Sequence, residues 1–207
     1  MDKLIYMDNA ATTSTAPEVV SAMLPFFTEY YGNPSSVYNF AQKSKMAIED
    51  AREIIADSIG AAKSNEIYFT GGGSESDNWA LKSAAFGLRN KGNHIITTKI
   101  EHHAILNTCA YLEKNGFEIT YLDVDSEGFV SLEDVENAIT EKTILISVMF
   151  ANNEIGTIEP VCEIGEIAHK HGILFHTDAV QAMCHVPINV TEMNIDLLSA
   201  SAHKFHC

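Results

Sequence analysis

The most constraining feature of this chain is an alternation. From residue 66 onward, short apolar or β-branched runs are separated by segments with helical spacing. The runs cover 66–69, 94–98, 118–122, 143–149, 173–176 and 197–201. Helices are expected between them, over 75–88, 103–115, 131–139 and 163–171. Several runs are near-continuously apolar, most clearly 144–151 (ILISVMFA). Such runs fit strands buried on both faces rather than half-solvated ones. Buried strands alternating with amphipathic helices give a mostly parallel sheet with helices on each side, an α/β three-layer sandwich. Ser131 is the expected N-cap of its helix, with Asp134 at the reciprocal capping position.

The first third reads differently. An extended arm over 1–14 leads to a helix that opens at Thr15-Ala16-Pro17-Glu18, with proline in its first turn. It should run to about residue 31, before Gly32-Asn33-Pro34 breaks it. A longer helix is expected over 40–59, with Ala47, Ala51, Ile54, Ile55 and Ile59 on one face and Gly60 closing it. Residues 15–207 are thus expected to form one large domain.

Composition narrows the function. A chain of 207 residues that is 46% hydrophobic can build a sizeable core. Its net charge of −15 repels phosphate backbones and anionic lipid, so neither nucleic acid nor a membrane surface is an expected partner. No apolar run is long enough for a membrane span, and the N-terminus lacks the pattern of a signal peptide, so a cytoplasmic protein is expected. Cys109, Cys162, Cys184 and Cys207 are widely spaced without CxxC, so neither a disulfide framework nor a zinc site is expected.

In parallel sheets, ligands bind beyond the C-terminal ends of the strands. Five segments there carry chemistry. Thr70-Gly71-Gly72-Gly73-Ser74 precedes a helix and offers backbone N–H groups and a hydroxyl to a phosphate; a tight turn with a serine cap is the plain alternative. The run is not GxGxxG and lacks a Walker lysine, which disfavours dinucleotides and nucleoside triphosphates. Glu101-His102-His103 follows the 94–98 strand; neighbouring histidines point apart and make a poor metal pair, but one ring can face a ligand. Asn152-Asn153 follows the most apolar strand and either forms a turn or donates to a ligand oxygen. Asp178, after the strand at 173–176, is a carboxylate in want of a cation, for which a protonated pyridine nitrogen would serve, or it is a helix cap. Lys204, after Ser201 and His203, is a Schiff-base candidate or an exposed loop lysine.

Together these segments resemble the cysteine desulfurase family of fold-type I, class V pyridoxal-phosphate (PLP) enzymes. The resemblance runs over essentially the whole chain. It is carried by Tyr6-Met7-Asp8-Asn9-Ala10-Ala11-Thr12-Thr13, Gly32-Asn33-Pro34-Ser35-Ser36, FTGGGSESDN (69–78), Glu101-His102-His103-Ala104, NNEIG (152–156), HTDAVQ (176–181) and SAHK (201–204). It implies that Lys204 holds the cofactor and moves the substrate proton. His102 would stack on the ring and assist acid–base steps. Asp178 would pair with the ring nitrogen, and Gln181 and Asn153 would bond the phenolic oxygen, Asn153 also reaching the substrate carboxylate. Gly73, Ser74, Ser201 and His203 would hold the phosphate, with Ala202 among the cofactor-binding residues.

The implied reaction takes L-cysteine to L-alanine and passes sulfur to an enzyme persulfide, then to an acceptor such as an iron–sulfur scaffold, in a homodimer. Selenocysteine lyase, another class V aminotransferase and a non-catalytic remnant are the alternatives. Family members continue past the lysine, into a part that carries the nucleophilic cysteine. The expectation is therefore a truncated large domain, inactive and marginally stable by itself, in which Cys207 is not the catalytic thiol.

Overall fold

The computed structural model describes residues 5–207; the first four residues of the expected arm lie outside the described residues. Two compact units are present, Met1–Phe69 with Ala202–Cys207, and Thr70–Ser201.

The second unit contains the sheet. Its strands are β1 (His94–Thr98), β2 (Glu118–Leu122), β3 (Thr143–Ser147), β4 (Leu174–Asp178) and β5 (Leu197–Ser199), in the order β2-β1-β3-β4-β5. All adjacent pairs are parallel. Every residue of β1 and β3 is buried, the polar His94, Thr97, Thr98, Thr143 and Ser147 included. The β3 ladder ends two residues earlier than expected. The chain nevertheless stays beside β4, where the Val148 and Phe150 N–H groups donate to the His176 and Asp178 carbonyls at 3.1 and 2.9 Å.

Helices α3 (Gly73–Gly87), α4 (His103–Lys114), α5 (Leu132–Ala138) and α6 (Val161–Lys170) complete this unit. One apolar cluster joins Leu81 and Ala85 of α3 and Ile105 and Leu112 of α4 to Ile95 and Leu145 of the sheet. A second joins Val135 of α5 and Ile164 and Ala168 of α6 to Ile96, Ile146 and Phe175. Ile95 and Ile96 of β1, like Leu145 and Ile146 of β3, fall in different clusters, as a pleat buried on both faces demands. The unit is the expected α/β sandwich of three layers. Ser131 caps α5 by accepting the Asp134 N–H at 3.3 Å.

The first unit is helical. It contains α1 (Pro17–Thr28) and α2 (Asn39–Ile59), the latter ended by Gly60 at φ 68°, a conformation that suits glycine. Helix α1 stops short of residue 31 because the Tyr30 N–H turns back to the Pro25 carbonyl at 2.9 Å. On the expected face of α2, Ile59 is buried and Ala47, Ala51 and Ile55 are half-buried, but Ile54 is 69% exposed; Ala41, Ser44 and Ala56 are buried as well. The expected strand over 66–69 does not form. A short 3-10 turn covers Ser64–Glu66, and no described strand pairs with the residues after it. Thr13 and Ala16 N–H groups donate to the carbonyls of His203 and His206, at 2.9 Å each, which ties the arm to the last residues.

Candidate active site at the strand ends

The strand order reverses between β1 and β3, which diverge to β2 on one side and β4 on the other. Such a switch point opens a crevice at the C-terminal ends of parallel strands. His102, Asn153 and Asp178 follow or end β1, β3 and β4 at that edge.

Asp178 is the last residue of β4 and is 5% exposed. Its Oδ1 accepts the Val180 N–H at 3.0 Å, so it orders the turn that follows. Asp77, on the inward face of α3, is 1% exposed. One donor atom each from Asp77, His102 and Asp178 lies within 4.8 Å of the other two. His102 is the exposed member, at the N-cap of α4, where Nδ1 accepts the Ala104 N–H at 3.1 Å. This backbone bond fixes the ring at the mouth of the pair of carboxyls.

The floor of the site is crowded with acids. Burial, reinforced by the Asp178 charge, pushes the Asp77 carboxyl up to about 8, against a hydrogen bond from Ser199. Burial likewise pushes Glu101 up to about 8. Glu101 Oε1 accepts the Thr98 hydroxyl and the Met149 N–H, both at 2.9 Å. Asp77 Oδ1 and Glu101 Oε2 are buried without a hydrogen-bond partner. The neighbouring His176 supplies no charge. Its Nδ1 meets Ser147 Oγ at 2.9 Å, its Nε2 meets Ser199 Oγ at 3.1 Å, and burial drives its pKa down to about 3. Its approach to Asp77, 3.8 Å, is therefore not an ion pair. Among the described residues no lysine or arginine is buried. A floor of this kind is complete only with a cation or with protons.

The glycine run lies beside it. Gly72, at φ 151°, precedes α3 and has no side chain with which to cap it. Glu75 reaches back to the Gly71 N–H. The first-turn amides of α3 remain for a ligand, as at any uncapped helix start. A Cβ on Gly73 would come within 2.9 Å of Val180 Cγ2 and 3.4 Å of Ser201 Cβ, so Gly73 and Ser201 are brought together by a contact that only glycine allows. Ser74 and His102 line one open cleft of about 360 Å³ between α3 and α4, together with Asn78, Lys82 and His103.

The two asparagines separate cleanly. Asn152 is buried and structural: Oδ1 accepts the Glu154 and Ile155 N–H groups, and Nδ2 donates to the Ile100 carbonyl. Asn153 is half-buried and donates to Glu154 Oε1 at 2.7 Å. Gln181 lies half-buried in the turn after Asp178. The remaining predicted residues belong to the other unit. Lys204 Nζ donates to the carbonyls of Ala10 and Ala11, and His203 Nδ1 meets Thr12 Oγ1 at 3.0 Å. Ala202 opens the 3-10 turn that carries them.

Asp77, Glu101, His176 and Ser199 did not emerge as site residues from the sequence. A signal for Asp77 existed: with Gly73 and Leu81 it makes an i, i+4, i+8 row, which puts a carboxyl on a buried stripe.

The arrangement fits pyridoxal phosphate on its own features. Asp77 Oδ1 and Glu101 Oε2 are buried without a hydrogen-bond partner, and a protonated ring nitrogen would add positive charge to this acidic floor. An uncapped helix start with two serine hydroxyls suits a phosphate, and the His102 ring stands at the mouth.

Fold and site define a class, the parallel-sheet proteins of the aminotransferase class-V type. The chain belongs to the aminotransferase class-V family, which matches it over residues 5–207. Within that family it is 65% identical to the cysteine desulfurase IscS of Clostridium botulinum (strain Kyoto), over 100% of this chain and 52% of that protein. It is 62% identical to the cysteine desulfurase IscS of Methanosarcina thermophila, over 99% of this chain and 50% of that protein. A solved structure described as SspA in complex with cysteine superposes with a TM-score of 0.95 at 46% identity, over 98% of this chain and 58% of that one. The chain spans about half the length of the curated relatives it matches.

Proposed function

We propose that this chain is the cofactor-binding part of a pyridoxal-phosphate-dependent cysteine desulfurase. The observation that carries this reading is the Asp178–Asp77 pair, buried at the strand ends and fronted by the His102 ring. Bound there, the cofactor supplies an electron sink for bond breaking at the substrate Cα and Cβ. Asp178 holds a proton on the ring nitrogen. The His102 ring covers the cofactor face and assists proton transfer. The first amides of α3 with Ser74 and Ser201, joined by Ala202 and His203, hold the phosphate. Asn153 and Gln181 orient the phenolic oxygen, and Asn153 also meets the substrate carboxylate. Lys204 supplies the amine that holds the cofactor and moves a proton at the substrate Cα.

The substrate is L-cysteine and the products are L-alanine and an enzyme persulfide. Burial pushes the Cys109 thiol up to about 12, and burial also raises Cys162, so neither suits the nucleophile. The sulfur acceptor would be a protein such as an iron–sulfur scaffold, and the working form a homodimer. The proposed location is the cytoplasm.

The test is absorbance of the purified chain with added pyridoxal phosphate, beside Lys204→Ala. A visible band that the variant lacks is the expected result. A wild-type spectrum identical to free cofactor, or equal bands in both proteins, would overturn the reading.

A further inference from the structure

One buried acid has no role in the reading above. Glu101 directly precedes His102 and is 5% exposed. Its Oε1 accepts the Thr98 hydroxyl at the end of β1 and the Met149 N–H beyond the end of β3, both at 2.9 Å. It thus reaches from the loop that carries His102 to the segment that carries Asn153. We propose that Glu101 is a positioning residue: it ties the end of β1 to the end of β3 and so holds His102 and Asn153 in register for one ligand ring. This rests on the cofactor reading, in which both of those residues meet the same bound ring.

The backbone alone does not make this tie. The register of β1 with β3 ends at Thr97 and Ser147. Beyond it each chain follows its outer neighbour, as the opening of a switch point requires. The Lys99 N–H donates to the Leu122 carbonyl of β2 at 3.0 Å, while the Val148 and Phe150 N–H groups donate to β4. Among the described residues, every hydrogen bond that joins residues 99–102 to residues 148–153 uses the side chain of Glu101 or Asn152. The Asn152 amide donates to the Ile100 carbonyl at 3.0 Å, and the same side chain shapes the turn that presents Asn153. The Met149 bond is the contribution of Glu101. His102 is fixed in turn by its own cap. Nδ1 accepts the Ala104 N–H, so a neutral ring carries its proton on Nε2. The cap holds the ring to α4, and Glu101 holds the start of α4 to the sheet. Glu101 does so without charge. Burial pushes its carboxyl up to about 8, so near pH 7 Oε1 accepts as the oxygen of a neutral acid. An amide can accept in the same place, and an alkyl chain cannot.

Two readouts at neutral pH, well below the melting temperature, test this. One is titration with pyridoxamine 5′-phosphate, which has the ring and phosphate but cannot bond covalently to Lys204. The other is NMR of the His102 ring nitrogens in the ligand-free chain. Wild type is compared with Glu101→Gln, Glu101→Met and Thr98→Val, and with Val135→Ala, which opens a cavity in the cluster beneath α5 and α6. Glu101→Gln is expected to bind within about twofold of wild type, and Glu101→Met about tenfold more weakly, because the ligand must then order the two loops itself. The His102 ring is expected to show one tautomer in wild type and Glu101→Gln, and both tautomers in Glu101→Met. Thr98→Val keeps the side-chain shape but removes one donor to Oε1, and shifts both readouts in the same direction by a smaller amount, so it decides the matter where Glu101→Met does not fold. Val135→Ala lowers the melting temperature and leaves both readouts at wild type. Glu101→Met or Thr98→Val with wild-type affinity and a single His102 tautomer would make Glu101 a merely structural acid and overturn the proposal alone. Glu101→Gln as weak as Glu101→Met would also overturn it alone, because the tie needs an acceptor and not a carboxyl. No ligand binding in any of the proteins would overturn it together with the cofactor reading.

Discussion

The two units bury apolar residues to very different degrees. In the second, β1 and β3 are wholly buried and two apolar clusters fill both faces of the sheet. In the first, the buried apolar side chains are Ala41, Ala56 and Ile59, while Val20, Met23, Leu24, Phe26 and Phe27 of α1 are all at least 41% exposed. Helix α1 has no buried residue at all. The difference follows from how each pattern finds partners. A strand pairs with the strand beyond the next helix, so an alternating chain covers its own faces. A helix that is apolar around its circumference needs cover on several sides. The sandwich thus holds its site on a rigid, self-covered frame, and stability and exposure should respond to mutation independently.

Truncation in the core breaks that comparison hardest. Phe175 is fully buried in the cluster under α6, and Phe175→Ala should cost about 3–5 kcal/mol. Ile54→Ala, on the exposed face of α2, should cost less than about 0.5 kcal/mol. Urea unfolding of both variants measures the pair, and equal losses would mean that Ile54 is covered in solution.

The site gives the next largest effect. Asp178→Asn removes the charge while keeping shape and the Val180 turn. Pyridoxal-phosphate affinity should fall roughly 10- to 100-fold, about 1.4–2.8 kcal/mol. Fluorescence titration reads this, and an unchanged affinity would assign the ring nitrogen to another group.

A third effect comes from Glu101. Its folded pKa, about 8, is above the ordinary 4.5, so the stability it contributes is fully present below about pH 4.5 and is lost as pH rises through about 8. His176 works the other way. Its folded pKa is depressed to about 3, so stability is lost as pH falls from about 6.5 toward 3. The chain should therefore melt at lower temperature near pH 9 than near pH 6. Glu101→Gln keeps an acceptor for Thr98 and Met149 and should flatten the alkaline loss by several degrees. A pH profile identical to wild type would show that Glu101 does not hold a proton in the fold.

How much of this was legible follows from the same contrast. β1 and β2 stand at the expected residues because their patterns are dense and their partners lie within the alternation. The strand expected at 66–69 had the composition, but among the described residues no strand pairs with it, and pairing is not written in a strand's own residues. The face of α2 was misjudged at Ile54 for a related reason: spacing gives a stripe, and packing decides which stripe is buried. At the site, Asp178 and His102 were legible as polar residues at strand ends. Asp77 was not, because SESDN reads as a solvated acidic helix start until the sheet beneath it is known. Asn152 and Asn153 were equal in sequence, and only the turn geometry makes one structural and leaves the other half-exposed.

The smallest effect tests the other side of the comparison. Leu24 and Phe27 on α1 are 59% and 69% exposed, so neither is held by the fold described. Replacing both by glutamine should change unfolding free energy by less than about 0.5 kcal/mol, because little area leaves or enters water. It should nonetheless raise the concentration at which the chain stays monodisperse, because an exposed apolar patch drives association. Light scattering against concentration, alongside urea unfolding, separates the two quantities. A large loss of stability with no gain in solubility would mean that α1 already packs its apolar face within the folded chain, and the contrast between the units would then be one of degree.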